Sequence, residues 1–227
     1  MRYGSRCLMP MIVSMLLSLL FSACQGQSSP AGTGTAKAGS RNTAPVGGGC
    51  DGCELMYIGM PSLINAVDTS PGWEEKGHPL VIAGKAVKAD GVTPAPGVII
   101  YYWQTDNNGY YSPRPGLDER VKRHGHIRGW MKSDANGNFS LYTVRPAPYP
   151  GEEMPAHIHL SIKEPDISNE YYVDELVFDD DSFLTAEKRS RLENRGGSGI
   201  LRTRMDGGKQ LASYRLVLGL NIPGYPK

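Results

Sequence analysis

The sequence predicts an all-β fold, a β-sandwich of mostly antiparallel strands with little helix. Three observations carry this. Apolar stretches are short and rich in β-branched and aromatic residues, which suit a pleated, half-buried surface. They are punctuated by turn formers, with 28 Gly and 17 Pro in 227 residues, a composition that favours tight turns over a helical bundle. A helical pattern shows only once, briefly, over residues 185–193, where alternating Lys, Arg and Glu mark a solvated face.

Residues 1–23 lie outside the predicted fold. Arg2 and Arg6 precede a nearly continuous apolar run over 8–21. The run falls short of the roughly 20 residues a comfortable membrane span needs, but it suits the core of a signal peptide. It ends in Leu20-Phe21-Ser22-Ala23-Cys24, which resembles a bacterial lipobox. The expected mature chain therefore begins at a lipid-modified Cys24, exported across the inner membrane and tethered in the cell envelope at the outer membrane or in the periplasm. Residues 24–49 read as a flexible linker, because 19 of the 25 residues after Cys24 are Gly, Ala, Ser, Thr or Pro and cannot bury enough surface to offset their ordering entropy. Cys50 and Cys53 open the folded domain, 50–227. In an oxidising compartment their default is a local disulfide, since no second cysteine pair exists to complete a zinc site.

Within the domain, residues 80–87 form a strand that ends at Asp90-Gly91, and residues 97–103 a second that ends at Asp106-Asn107-Asn108-Gly109. A third, 139–144, follows the Asn136-Gly137 turn and runs into the Pro-rich stretch 145–150. Further strands are read at 157–162, 175–178 and 213–218. Gly196-Gly197-Ser198-Gly199 neither follows a strand nor opens a helix, so it is a loop and not a phosphate cradle. The formal charge is +1, from 24 Lys+Arg against 23 Asp+Glu, and the mature chain is essentially neutral; this excludes the electrostatic footprint of a nucleic-acid binder.

Chemistry concentrates in Pro155-Ala156-His157-Ile158-His159. On a strand, alternate side chains share a face, so His157 and His159 point one way while Ile158 enters the core. Two imidazoles on one rigid face are half of a metal site. Tyrosines stand near: Tyr149 between Pro148 and Pro150, and Tyr110-Tyr111 after Gly109. A phenol with an ordinary pKa near 10 becomes a good ligand only beside a strongly polarising cation. Two phenolates with two neutral imidazoles suit a hard, oxidised metal such as Fe(III), with a coordination position left open. Two other clusters carry less. His124-Gly125-His126, flanked by Lys122 and Arg123, reads as an exposed basic loop, and Asp179-Asp180-Asp181 as a strand terminus in solvent. The sequence supports no Ser–His–Asp assignment.

Taken in order, these motifs resemble the intradiol ring-cleavage dioxygenases, non-haem Fe(III) enzymes acting on catechols and protocatechuate. The resemblance runs from about Leu80 to Asp181, through Pro94-Ala95-Pro96, Trp103-Gln104-Thr105-Asp106, Gly109 with Tyr111, Ile127-Arg128-Gly129, Asp134-Ala135-Asn136-Gly137, Pro148-Tyr149-Pro150 and Pro155-Ala156-His157-Ile158-His159. It implies iron ligation by Tyr111, Tyr149, His157 and His159, with Tyr149 the ligand that leaves when a catechol chelates the metal. It further implies a small catechol-type aromatic and O2 as substrates, and a muconate-type diacid as product. One position departs from the pattern: the family's Arg before Pro-Ala-His-x-His is Met154 here, and a thioether cannot stabilise the charge of the activated substrate. Arg128 is the expected compensating catalytic residue, and Arg145 a less secure one. The alternative reading is a β-sandwich binding module that holds a metal or aromatic ligand without turnover. The sequence sets no oligomeric state.

Overall fold

The computed structural model describes residues 45–227. The expected signal peptide, Cys24 and residues 24–44 of the expected linker lie outside the described residues. Ten strands, β1 Val67–Thr69, β2 Pro79–Val87, β3 Ile99–Gln104, β4 Arg128–Lys132, β5 Asn138–Val144, β6 His157–Lys163, β7 Tyr171–Phe178, β8 Ile200–Leu201, β9 Arg204–Asp206 and β10 Lys209–Val217, are joined by turns and one short helix, α1 Ala186–Ser190. The strands form two sheets of five, in the orders β1-β5-β2-β10-β9 and β4-β3-β6-β7-β8. The all-β sandwich is as predicted. The helix falls inside the predicted 185–193 stretch, where the Thr185 hydroxyl accepts from the Lys188 N–H as an N-cap. Most pairings are antiparallel, but β1 with β5, β10 with β2 and β8 with β7 run parallel.

Alternation explains the packing. Leu80, Ile82 and Ala86 of β2, Ile158, Leu160 and Ile162 of β6, and Ala212, Tyr214 and Leu216 of β10 all turn inward to one core between the sheets. Each such large side chain contributes about 1.5–3 kcal/mol by leaving water. Gly84 occupies the same inward row of β2 because the Phe139 ring lies over it, and an added Cβ would come within 2.1 Å of that ring.

Opposite this core, the second sheet turns Tyr101 and Trp103 of β3, with His157, His159 and Ser161 of β6, to its outer face, where Trp103 pairs with His159 and Tyr101 with Ser161. A one-turn 3-10 helix, Cys53–Tyr57, covers part of that face and buries Met56 completely against Tyr101 and Trp103. It is pinned from below. The Trp130 indole N–H donates to Met56 O at 2.7 Å, and the Arg128 guanidinium donates to Leu55 O at 3.2 Å and Ile58 O at 2.7 Å. The expected Cys50–Cys53 disulfide is present and closes the chain just ahead of this turn. The last residues assigned to the linker are also docked. Gly47 N–H donates to Pro223 O at 2.7 Å, and the Asn169 amide brackets the Val46 backbone with two bonds, at 3.1 and 2.9 Å. Among the described residues, no helix is long and apolar enough to cross a membrane.

Candidate metal centre and substrate cavity

Four donor atoms converge on the outer face of the second sheet. Tyr111 Oη lies 2.7 Å from Tyr149 Oη, which is 3.0 Å from His157 Nε2; that nitrogen is 3.1 Å from His159 Nε2, which returns to Tyr111 Oη at 2.9 Å. The four atoms close a ring, and a ring with edges of that length has its centre roughly 2 Å from each donor, the ordinary metal–nitrogen and metal–oxygen distance. The four residues expected to gather do so. Their orientation also fits a metal. The His157 Nδ1–H is directed to Pro155 O at 2.8 Å, leaving the Nε2 lone pair to face the centre. His159 presents Nδ1 to Glu175 Oε1 at 3.7 Å, and its ring is held flat against Trp103, with centroids 4.7 Å apart.

Charge completes the fit. Burial raises the Tyr111 phenol well above its ordinary range, reinforced by its bond to Tyr149, and burial raises Tyr149 as well. Burial pushes His159 well below the usual imidazole range, reinforced by His157 and His124. By itself the protein environment thus favours neutral phenols at Tyr111 and Tyr149 and a neutral imidazole at His159. A highly charged cation at the centre of the ring reverses the balance for the phenols, since only such a charge offsets the cost of a buried phenolate.

The two tyrosines sit on loops, and Asp106 ties both in place, one through its carboxylate and the other through its backbone carbonyl. Asp106 follows β3. Its side chain accepts from the Asn108 N–H at 2.8 Å, the Tyr110 N–H at 3.1 Å and the Ser112 hydroxyl at 2.6 Å, while its carbonyl accepts from the Ala147 N–H at 3.0 Å. Thr105 Oγ1 returns a bond to Ala147 O at 2.8 Å. Burial pushes the Asp106 carboxyl upward, but these hydrogen bonds outweigh it and hold the group below its ordinary value. Gly109, at φ +85°, lets the Tyr111 loop lie directly on Pro148. On the histidine side, Asp181 accepts from Ala156 N–H at 2.8 Å and fixes the entry to β6.

A cavity of about 460 Å³ opens over the ring; Trp103, Tyr111, Tyr149, His159, Tyr172 and Glu175 form its floor and side. Its outer wall is Gly49, Cys50 and Asp51 with Arg123 and His124. The sequence missed most of this wall. His124 and His126 are not on an exposed basic loop: both are buried. Lys122 and Arg123 do point outward, but they belong to a 3-10 helix, Glu119–His124, whose last residue turns inward. The His124 ring stacks on Trp103 at 4.1 Å, its Nδ1 lies 2.8 Å from Tyr101 Oη, and burial holds its pKa at about 3. His126 is bonded to Ser112 O and Glu75, each at 2.6 Å, and neither histidine joins the donor ring. Tyr172 and Glu175 come from the part of β7 that lies around and before the predicted 175–178.

The expected catalytic cation is corrected. Arg128 does not line the cavity. Beyond its bonds to Leu55 and Ile58 it donates Nε–H to Tyr101 Oη at 2.7 Å and lies over the Trp130 ring at 4.7 Å, so the guanidinium is held behind the site. Arg145 is turned away too, to Asp180 at 2.6 Å and over the Phe178 ring at 4.2 Å. The Asp179–Asp181 run follows β7, as expected, and serves arginines and backbone: Asp179 pairs with Arg189 at 2.5 Å. Met154 is partly exposed at the edge of a neighbouring groove.

A two-layer sandwich with two tyrosines and two histidines aimed at one point matches a dioxygenase scaffold. The family profile described as Dioxygenase (Dioxygenase_C) covers residues 61–218, and the chain belongs to the intradiol ring-cleavage dioxygenase family. It is 32% identical over 122 residues to the chlorocatechol 1,2-dioxygenase of Pseudomonas sp. (strain P51), across 47% of this chain and 46% of that protein. To the 6-chlorohydroxyquinol 1,2-dioxygenase of Cupriavidus pinatubonensis it is 30% identical over 124 residues, across 47% of this chain and 42% of that protein. The chain thus spans less than half the length of these curated relatives. Among solved structures, the dioxygenase domain of a dioxygenase–carbohydrate-binding fusion from Streptomyces sp. SirexAA-E is similar with a TM-score of 0.51 at 24% identity, over 68% of this chain and 87% of that one. The similarity to that structure is one of fold.

Proposed function

We propose that this protein cleaves a catechol-type aromatic between its two oxygen-bearing carbons, incorporating both atoms of O2 to give a muconate-type diacid, with non-haem Fe(III) held by Tyr111, Tyr149, His157 and His159. The closed ring of four donor atoms carries the reading; the 1,2-dioxygenase names of its relatives agree with it. When bound, ferric iron supplies the Lewis acidity and electron access that let a chelated catecholate meet O2.

The chain's own residues do the rest. Pro155 O, through the His157 Nδ1–H, and the Trp103 face, through the His159 ring, hold both imidazoles still while substrate exchanges with a ligand. Of the two phenols that would hold the metal, Tyr149 would be the more readily displaced. It sits on the Pro148–Pro150 turn at the rim, whereas Tyr111 is clasped by Gly125, whose added Cβ would strike the Tyr111 backbone at 2.9 Å. When not holding the metal, Tyr149 Oη would be a phenol, because burial and the nearby Glu152 and Glu175 disfavour its anion, so it could hold one of the two catechol protons. The leader and Cys24 support a lipid tether at the cell envelope as the setting for this activity.

One observation favours the binding-module reading: among the described residues, no unpaired cation lines the cavity. Met154 supplies none, Arg128 is engaged elsewhere, and Arg123 is paired with Asp51 at 2.9 Å and Glu54 at 3.5 Å. A visible spectrum of the purified protein with iron quantified, followed by catechol under air, separates the two. A tyrosinate charge-transfer band that shifts with catechol and is accompanied by O2 uptake is the expected result. A shift without O2 uptake leaves the binding module, and an absent band after iron reconstitution overturns the four-ligand centre.

A further inference from the structure

A second groove adjoins the cavity over the donor ring. It has a volume of about 580 Å³ and shares Glu175 with that cavity, and His157, one of the four donors, lies in its wall. Its apolar lining is Pro155, Val177, Leu184 and Leu192, with the partly exposed Met154 at its edge. Together the two spaces far exceed what a single aromatic ring fills; pockets of about 300–1,000 Å³ serve drug-sized ligands. The thioether of Met154 and the leucines give the groove a deformable, apolar lining suited to a chain or second ring of variable shape.

Its polar rim is one-sided. Glu152, Glu153 and Glu175 are its acids, and Lys188 is its one basic lining residue. Lys188 donates from Nζ to the Glu153 carbonyl, on the acidic side of the rim. The basic residue of the neighbouring cavity, Arg123, carries Asp51 and Glu54. A carboxylate on the substrate thus finds three acids against one lysine among the described residues of the groove, a balance that disfavours burying it there.

We infer, resting on the dioxygenase reading, that the preferred substrate is a catechol with an uncharged, elongated apolar substituent, whose ring sits over the donor ring and whose tail lies along Val177, Leu184 and Leu192. Met154 in this setting is a wall of the tail groove. A small catechol leaves that groove filled with water, and a carboxylated one faces Glu152, Glu153 and Glu175.

The test uses the iron-loaded protein with catechol, 3,4-dihydroxybenzoate and its methyl and butyl esters, with kcat/KM read from O2 uptake. The two esters share ring electronics, so their ratio isolates the tail. Three further methylenes against the groove are expected to raise kcat/KM for the butyl over the methyl ester by about tenfold or more. The free acid is expected to fall below both. The variant Leu192→Asp is expected to bring the butyl-to-methyl ratio close to one. Turnover of catechol with a butyl-to-methyl ratio of one or less overturns this inference and leaves the dioxygenase reading intact. A butyl preference that survives Leu192→Asp overturns the assignment of the tail to this groove. Failure of iron or catechol to bind at all removes both readings.

Discussion

Replacing Gly109 by Ala tests whether the two tyrosine loops hold the donor ring together. An Ala Cβ at this position would stand 2.0 Å from Pro148 O and 2.9 Å from Pro150 Cδ, where real Cβ contacts stay beyond 3.0 Å. The two backbones must therefore part by about 1 Å. Tyr111 lies two residues beyond Gly109, and Tyr149 follows Pro148, so the opening is delivered to the 2.7 Å edge between the two phenol oxygens. Positive φ adds about 1–2 kcal/mol of backbone strain to the variant. Gly116→Ala separates that strain from the clash, because Gly116 has φ +84° and nothing within 4 Å of its added Cβ. The expected outcome is that Gly109→Ala weakens Fe(III) affinity by about 10–100-fold and shifts the tyrosinate band, as does loss of a contact that orients metal ligands. Gly116→Ala is expected to lower stability with iron affinity unchanged. Iron titration followed at the tyrosinate band, with calorimetric melting of both variants, gives the comparison. Wild-type iron affinity in Gly109→Ala would refute the reasoning, because the ring would then tolerate separation of its loops.

Three more outcomes are expected. Arg128→Ala removes the donors to Leu55, Ile58 and Tyr101 and leaves Ile58 O without its donor, while Leu55 O keeps the Ile58 N–H and Tyr101 Oη keeps His124; stability should fall by about 1–3 kcal/mol by denaturant titration while iron affinity is kept, and the reverse pattern would return Arg128 to the site. His124 has its pKa lowered to about 3 from 6.5, by burial first and then by Arg123 and Arg128. The unfolded chain takes its proton below pH 6.5 and the folded chain does not until about 3, so this contribution to stability is complete above pH 6.5 and is lost as pH falls through that window. Melting temperature should drop more between pH 7.5 and pH 5 in the wild type than in His124→Gln, and equal drops would contradict it. Reducing the Cys50–Cys53 bond should accelerate amide exchange in the Cys53–Tyr57 turn while the β6 amides stay protected, measured by hydrogen-exchange mass spectrometry; unchanged exchange there would show that Met56 and Arg128 hold the turn without it.

The donor set was legible because its signal is local. His157 and His159 share a face by the two-residue period of a strand, and Tyr149 and Tyr111 stand beside Pro and Gly that the loops require. The surrounding wall was not, because tertiary contacts alone decide it. Lys122 and Arg123 make their segment look solvent-exposed, and two of its three faces are; the third carries His124 onto Trp103. Arg128 lies in a motif that suggests chemistry, yet β4 directs it to the underside of the Cys53–Tyr57 turn, a partner 70 residues or more away in sequence. Asp106 sits within a quoted motif and still gave no sign of its role, since its partners Ser112 and Ala147 are brought together only by folding. The short edge strands β1, β8 and β9 offer too few residues for a period to show.

The position of β10 sets an order on folding. This final strand inserts between β2 and β9 and runs parallel to β2 from Gln210 opposite Leu80 to Val217 opposite Val87. Until residues 209–217 arrive, one long edge of β2 is unpaired and the inner face of β6 has no completed layer to rest on. Parallel pairing across so much chain is slow to form, and an open edge invites association with other chains. A chain cut before residue 209 is therefore expected to aggregate rather than to persist as a smaller folded domain. The layer behind Ile158, Leu160 and Ile162, on the strand that carries His157 and His159, is thus complete only with the C-terminal strand in place.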